Sequence, residues 1–475
     1  MEDGERSGPA LFNALRDWVL ERGGGVDGGV ELIETPCSRT LAASRPYEKG
    51  ETLIELPFSA ALGLRTALQA LFAAEKEGEA GLVRGSLSEF LSFCETSNRV
   101  RHSTISLLVA LQICHGAIHD ESPLRRYTRL LPAPPRSEGS TLSGSVCGPL
   151  LIHPLLFEEE LKELQSEDFR ASLLRERELL RFIYDNAINS EVLGFEDFVW
   201  AIAITRSRSL DLSLHLERGS QGQESFTCML PIIDLCDHSG QASCSLRCHV
   251  TGGSVDSIEL FAHRALCTGD ALTIDYGHRG LRDFFRVYGF TPAEAECRAE
   301  VFEDSTFRPL ESVLVSGERG GSFFSLRRVL LLSSLPSVVQ PSRGDSVKGI
   351  LDRALAEKSL LLDAEGCGCL YEVGDESPRS ANFRGCPRVL VGGAVTEGLS
   401  CDGAGEEEAA VSRVLDYLAG LSRRMPTTLD EDRELLRSKL NPIMGAILRY
   451  RVARKALLRD LMDDLQGALQ LLRCV

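Results

Sequence analysis

The chain has 475 residues, enough for two to three domains, and its 43% hydrophobic and 25% charged residues exclude a disordered chain, a collagen-like fibre and a coiled-coil rod. With 52 Lys and Arg against 69 Asp and Glu, the formal charge is −17. That charge repels a phosphate backbone, and the basic cluster Arg449 to Lys455 reads as a helix face, so no nucleic-acid partner is expected. No membrane partner is expected either, because no apolar run approaches the ~20 residues of a membrane span. The 15 cysteines are odd in number and scattered. The start Met1-Glu2-Asp3-Gly4-Glu5 is acidic, which fits neither a secretory signal nor a transit peptide. Free thiols in a reducing compartment are therefore expected. The expected location is cytoplasmic, with the nucleus as the alternative and a plastid disfavoured.

In chain order, Leu11, Leu15, Trp18 and Val19 predict a helix within residues 9–22, stopped by Gly23 to Gly25. Extended chain follows. Leu53, Ile54 and Leu56 form an apolar run between the turn Glu48-Lys49-Gly50-Glu51 and Pro57. From about residue 64 to 185 the period is helical. Leu64, Leu68, Leu71 and Phe72 share a face, as do Leu107, Leu108, Leu111 and Cys114, and as do Leu161, Leu164, Leu173, Leu180 and Ile183. A Pro- and Gly-rich loop runs from Leu131 to Gly148.

Short strands are predicted from about 226 to 290. Ile258, Leu260 and Leu266 alternate, and Leu272 and Ile274 form a second strand ending at Tyr276-Gly277. This predicts a twisted, irregular sheet rather than a βαβ layout. The last third reads as helical from near 305, including Phe323 to Leu332, Val347 to Leu361, Val411 to Leu421 and Leu429 to Leu472. It is interrupted by Ser334 to Ser346 and by the Gly-rich, then acidic, Val391 to Glu408.

Two segments carry the chemistry. The first is Pro231-Ile232-Ile233-Asp234-Leu235-Cys236-Asp237-His238-Ser239. The second is Gly269-Asp270-Ala271-Leu272-Thr273-Ile274-Asp275-Tyr276-Gly277. In this order and spacing they resemble the cofactor and catalytic halves of the SET-domain methyltransferase pseudoknot. Arg39-Thr40-Leu41-Ala42-Ala43, followed by Glu48-Lys49-Gly50-Glu51 and Pro57, is similar to the SET opening. Further matches resemble the Rubisco large-subunit methyltransferase-like group. These are Tyr127 with Leu131-Pro132, the stretch Phe157 to Gln165, Trp200-Ala201 with Ser207-Arg208, Thr427 to Asp432, and Ala446 to Arg451. The resemblance spans about residues 10 to 470.

The resemblance implies an α+β fold with a SET-domain irregular β-sheet pseudoknot core, a helical insertion and an all-α C-terminal domain. The implied boundaries are 1–63 for the N-terminal helix and first part of the core, 64–190 for the insertion, 191–300 for the second part with both motifs, and 301–475 for a helical substrate-binding domain. It implies S-adenosylmethionine as cofactor. Methyl transfer to an amine is an in-line displacement that demands positioning and a neutral nucleophile. By resemblance, Tyr276 orients the amine. Arg39, Thr40, Leu41, Ser207, Arg208, Asp234, Asp237, His238 and Tyr276 hold the cofactor, with Asp234 supporting the cofactor loop. Tyr288 and Phe290 line the substrate channel.

Two positions depart from the family pattern. Asp237 stands where the family has Asn; a carboxylate accepts hydrogen bonds but donates none. Thr40 stands where the family has Gly, which permits close backbone approach and positive φ. The expected activity is protein-lysine N-methyltransfer to a non-histone protein by a monomer. A protein-histidine methyltransferase and a catalytically silent SET-fold binding module are the alternatives. The cysteine spacings, Cys244 with Cys248 and Cys367, Cys369 with Cys386, lack paired C-x₂-C units, so no metal is expected.

Overall fold

The computed structural model describes residues 8–34, 39–78, 81–100, 103–119, 121–132, 156–214, 224–251, 254–277, 281–292, 299–300, 388–389, 412, 415–416, 418–438 and 440–473. The helices, in chain order, are α1 Gly8–Leu20, α2 Leu64–Lys76, α3 Leu87–Thr96, α4 Thr104–Ile118, α5 Arg125–Thr128, α6 Glu158–Lys162, α7 Glu167–Ala187, α8 Phe195–Arg208, α9 Leu281–Tyr288, α10 Leu429–Leu436 and α11 Pro442–Arg473. The strands are β1 Gly25–Val26, β2 Val30–Glu34, β3 Arg39–Ala43, β4 Thr52–Pro57, β5 Ser209–Leu214, β6 Glu224–Met229, β7 Asp237–His238, β8 Cys244–Thr251, β9 Ser254–Ala262, β10 Thr273–Ile274, β11 Ala299–Glu300 and β12 Arg388–Val389. Helices and short strands are mixed as the α+β expectation has it. The chain divides into two compact units, Met1–Leu156 with Leu173–Tyr276, and Phe157–Ser172 with Gly277–Val475.

In the first unit, β1, β4, β9 and β8 form a four-stranded antiparallel sheet in that order. β2 pairs with β3 and β5 with β6, both antiparallel, while β7 and β10 pair in parallel. Small, separate sheets are the irregular architecture that the short strand runs predicted. Helix α1 buries Leu11, Phe12, Leu15, Trp18 and Val19. It ends before Gly23, whose φ of +83° a side chain would resist. Helix α3 starts on a reciprocal cap in which Ser86 Oγ accepts from the Glu89 N–H at 3.2 Å and Glu89 accepts from the Ser86 N–H at 2.7 Å.

Several elements differ from expectation. Helix α4 is buried on every side from Leu107 to Cys114 rather than on one face. Other elements cover it all round, so a face rule is too narrow there. Leu161 to Ile183 do not share one helix. The chain breaks between α6 and α7 at Gln165, whose φ is +51°. Strand structure starts earlier than residue 226, with β5. Residues 281–288 form a helix, because Leu281, Phe284 and Phe285 have helical spacing and are buried together.

The second unit also splits the long helix expected over 429–472. Asn441 Oδ1 accepts from the Met444 N–H at 2.8 Å and Pro442 opens α11, so the helix restarts there. Strand β12, paired in parallel with β11, places a short strand in the 301–475 segment expected to be all-helical. The expected helices Phe323 to Leu332 and Val347 to Leu361, the breaks Ser334 to Ser346 and Val391 to Glu408, and most of the loop Leu131 to Gly148 lie outside the described residues.

A buried charge cluster centres this unit. The Asp432 side chain is fully buried. It accepts from Arg451 Nε at 3.1 Å, Lys455 Nζ at 2.6 Å and Thr427 Oγ1 at 2.7 Å. Arg451 reaches on to Glu163 at 2.9 Å, and Lys455 to Gln165 at 2.9 Å. These bonds explain why residues 157–172 group with the C-terminal unit. Burial raises the Asp432 carboxyl, but its donors win and hold it below the usual aspartate range. Burial depresses the Lys455 ammonium despite Asp432. Phe169, Phe285 and Tyr450 pack beside one another, with Phe285 and Tyr450 ring centres 4.8 Å apart.

Two outcomes are expected. Asp432→Ala takes the shared carboxylate from two buried cations, leaving Arg451 with Glu163 and Lys455 with neutral acceptors, and should cost about 3–5 kcal/mol. Hydrogen exchange of the full chain should accelerate across residues 429–473. In the first unit, Asp27 accepts from Tyr47 Oη at 2.6 Å and from the Gly29 N–H at 2.8 Å, and pairs with Arg45. The Arg45 bond, chiefly, lowers its carboxyl from 3.8 to about 2. A depressed carboxylate adds stability that is complete above its ordinary value and is lost as pH falls toward about 2. Asp27→Asn should remove on the order of 1–2 kcal/mol at neutral pH, discounted for solvent contact, and flatten the stability curve in that acid window.

Candidate active site

The two motifs meet through backbone. β7 and β10 run parallel with Asp237 opposite Thr273 and His238 opposite Ile274. The Ser239 N–H extends the ladder to the Ile274 carbonyl at 3.2 Å. Strand β3 joins from the other side, where the Leu272 N–H donates to the Leu41 carbonyl at 2.8 Å and the Ala43 N–H to Asp270 at 2.9 Å. Three segments far apart in sequence thus share one small region.

Before β7 the chain makes a tight 3-10 turn, Ile233–Leu235. Ile232 enters it at φ +73° and ψ −54° and is wholly buried. A β-branched side chain resists that region, at a cost of about 1–3 kcal/mol. The turn is held by Asp234 N–H to Leu230 carbonyl at 2.9 Å and Cys236 N–H to Ile233 carbonyl at 3.1 Å.

Asp234 anchors the turn from inside. Its side chain is fully buried, and Arg208 pairs with it at 3.1 Å. Arg208 Nη1 also donates to the Asp234 backbone carbonyl at 2.8 Å. Tyr127 Oη donates to Asp234 Oδ2 at 2.5 Å. Asp234 Oδ1 is buried and, among the described residues, meets no hydrogen-bond partner. Burial pushes the Asp234 carboxyl up; Arg208 and Tyr127 oppose that without cancelling it. Burial, then the neighbouring carboxylate, pushes the Tyr127 hydroxyl well up. Burial works against the Arg208 charge, yet Asp234 and Tyr127 keep its guanidinium above the ordinary value.

Tyr276 is half-buried at the end of the second motif. Its Oη donates to the Cys236 carbonyl at 2.7 Å. Its N–H donates to His238 Nδ1 at 3.2 Å, and the two rings lie 5.1 Å apart. With Nδ1 accepting, the proton of a neutral His238 ring belongs on Nε2. Gly277 follows at φ +88°, so the chain turns away directly after the tyrosine.

The remaining predicted residues fall in distinct places. Thr40 takes regular strand backbone opposite Ile33, so the glycine conformation expected at this position is not used. Its hydroxyl donates to the Leu41 carbonyl at 3.4 Å and lies near enough to the Asp237 carboxyl to pull it down. Asp237 is exposed as a residue, but protein crowds its carboxyl enough to push it up, with Thr40 and Arg208 pulling down. The two departures from the family pattern therefore lie near one another. Arg39 is built into the fold, donating to Glu34 at 2.7 and 2.9 Å and to the Leu130 carbonyl at 2.7 Å. Leu41 is fully buried in the core and offers the site only backbone. Ser207 Oγ bonds back to the Ile204 carbonyl at 3.2 Å in the last turn of α8. Tyr288 and Phe290 belong to the second unit, clustered with Phe284 at ring distances of 5.6 to 6.0 Å.

Sequence reasoning missed two partners in the site. The role of Tyr127 depends on a bond across 107 residues. The only signal was Asp234 itself, a charge inside the apolar run Leu230 to Cys236, which demands a buried partner. The Cys236 carbonyl is a backbone group and leaves no trace in residue identity. Among the described residues, no group of three or more His, Cys, Asp or Glu could hold a metal ion. Cys367, Cys369 and Cys386 lie outside them.

No protein-family model and no curated protein matches the chain. Solved structures do. "Crystal structure of the SET domain of LSMT bound to Lysine and AdoHcy" matches with a TM-score of 0.51 at 14% identity, over 96% of this chain and 91% of that one. "Structure of Rubisco LSMT bound to AdoMet" matches with a TM-score of 0.51 at 15% identity, over 97% and 93%. The chain has the fold of these Rubisco LSMT SET-domain structures.

Proposed function

We propose that this protein is an S-adenosylmethionine-dependent protein-lysine N-methyltransferase acting on a non-histone protein. The observation that carries the proposal is the Tyr276 hydroxyl held on the Cys236 carbonyl at 2.7 Å. A phenol has one proton, and here that proton is committed to a carbonyl. The oxygen is left to act as an acceptor toward an incoming amine N–H. It can fix the direction of the nitrogen lone pair, which is the positioning that an in-line displacement needs.

The residues around Tyr276 suit the donor. S-adenosylmethionine supplies an activated methyl group on a sulfonium. Asp237 presents a partly crowded carboxylate that can accept from an ammonium and favours nearby positive charge. Asp234 keeps one buried oxygen without a partner among the described residues, so the turn holds acceptor capacity for a donor group or a water. His238, with Nδ1 engaged by the Tyr276 N–H, holds the two motifs in register rather than serving as a base. Thr40, beside Asp237, and Arg208, on Asp234, border the same region. A monomer acting in the cytoplasm on a protein substrate completes the proposal.

A second reading is a catalytically silent SET-fold binding module. The proximity of Thr40 and Asp237 favours it, because a β-branched side chain stands where the family leaves room for a ligand.

Calorimetric titration with S-adenosylmethionine separates the two. Micromolar binding by the natural protein supports the enzyme; absence of binding, with binding gained by Asp237→Asn, supports the silent module. For the enzyme, Tyr276→Phe should keep cofactor affinity within a few-fold and lower methyl transfer by roughly 100-fold, as loss of one preorganised polar group does. Equal loss of both would remove Tyr276 from the orienting role.

A further inference from the structure

We propose that Tyr127, which lies in α5 and outside both motifs, is a positioning residue for the Tyr276 hydroxyl. Its role in methyl transfer rests on the function proposed above; its coupling to Tyr276 does not.

The physical chain is short. Tyr127 is wholly buried, and its hydroxyl meets Asp234 Oδ2 at 2.5 Å. Asp234 lies in the turn Ile233–Leu235, and the next residue, Cys236, supplies the carbonyl that takes the Tyr276 proton. The turn is entered by the strained Ile232, so it has a relaxed alternative to fall into once its anchor weakens. The anchor has little redundancy. Asp234 Oδ1 has no partner among the described residues, so the side-chain donors on Asp234 there are Tyr127 and Arg208, beside the turn's own backbone bonds. Arg208 is already committed twice to this residue, to its carbonyl and to Oδ2. Removing the Tyr127 hydroxyl leaves a buried carboxylate short of a donor, and buried carboxylates relocate or take up a proton when that happens. Either response moves the Cys236 carbonyl and loosens the Tyr276 proton.

The test uses the full chain with tyrosine labelled with ¹³C at the ring carbon bearing the hydroxyl. Tyr276→Phe identifies the Tyr276 resonance. In Tyr127→Phe, that resonance should shift and its titration should move to lower pH, because a phenol freed from a carbonyl acceptor ionises more readily. Tyr47→Phe is the control: it removes the hydroxyl of another buried tyrosine, bound to a different and partly exposed aspartate, Asp27. It should leave Tyr276 unmoved. Asp234→Asn keeps an acceptor oxygen and should shift Tyr276 in the same direction by less, and it serves as the test if the Phe variant does not fold. A folded Tyr127→Phe or Asp234→Asn protein with the wild-type Tyr276 resonance and titration would overturn the proposal. So would an equal shift in Tyr47→Phe, which would mark a general loss of stability. Neither cofactor nor substrate enters this experiment, so its failure is separate from a failure to bind S-adenosylmethionine.

Discussion

A carboxylate taken wholly out of water must be held by donors, and that requirement at Asp234 organises the first unit. The donors come from Arg208, 26 residues away, and Tyr127, 107 residues away. The last turn of α8, the short helix α5 and the 3-10 turn are thereby tied at one point. Exchanging such a cluster for apolar residues is often neutral for stability, whereas removing one member is costly. Its value here is positional. It fixes a strained turn directly before the carbonyl that receives the Tyr276 proton.

Backbone pairing does the rest of the assembly. The parallel ladder of β7 and β10 is only two residues long, yet it brings His238 and Tyr276 within hydrogen-bonding distance. Strand β3 adds Thr40 to the same neighbourhood. The deviation from the family pattern is thus paired: a hydroxyl where glycine stands in the family, and a carboxylate where an amide stands. A hydroxyl beside a carboxylate is a coherent local solution.

The sequence carried the motifs because their order and spacing survive in residue identity. Helix α1 was readable for a similar reason, since Leu11, Leu15, Trp18 and Val19 repeat at helical spacing and all are buried. Helix α4 and helix α9 were harder. The first is covered on all sides, which erases amphipathic contrast. The second is rich in aromatic residues, which favour strands in isolation but pack here at helical spacing. The break at Gln165 has no glycine to announce it. Long-range partners were invisible: nothing near Tyr127 in the sequence indicates Asp234, and nothing near Glu163 indicates Arg451.

In the proposed function, the turn around Asp234 and the end of β10 together receive the methyl donor. Hydrogen exchange of the full chain with and without S-adenosylmethionine tests it most directly. Protection concentrated in residues 232–239 and 272–277 is the predicted result. Unchanged exchange in both segments at saturating concentrations of the compound, or protection only elsewhere in the chain, would contradict it.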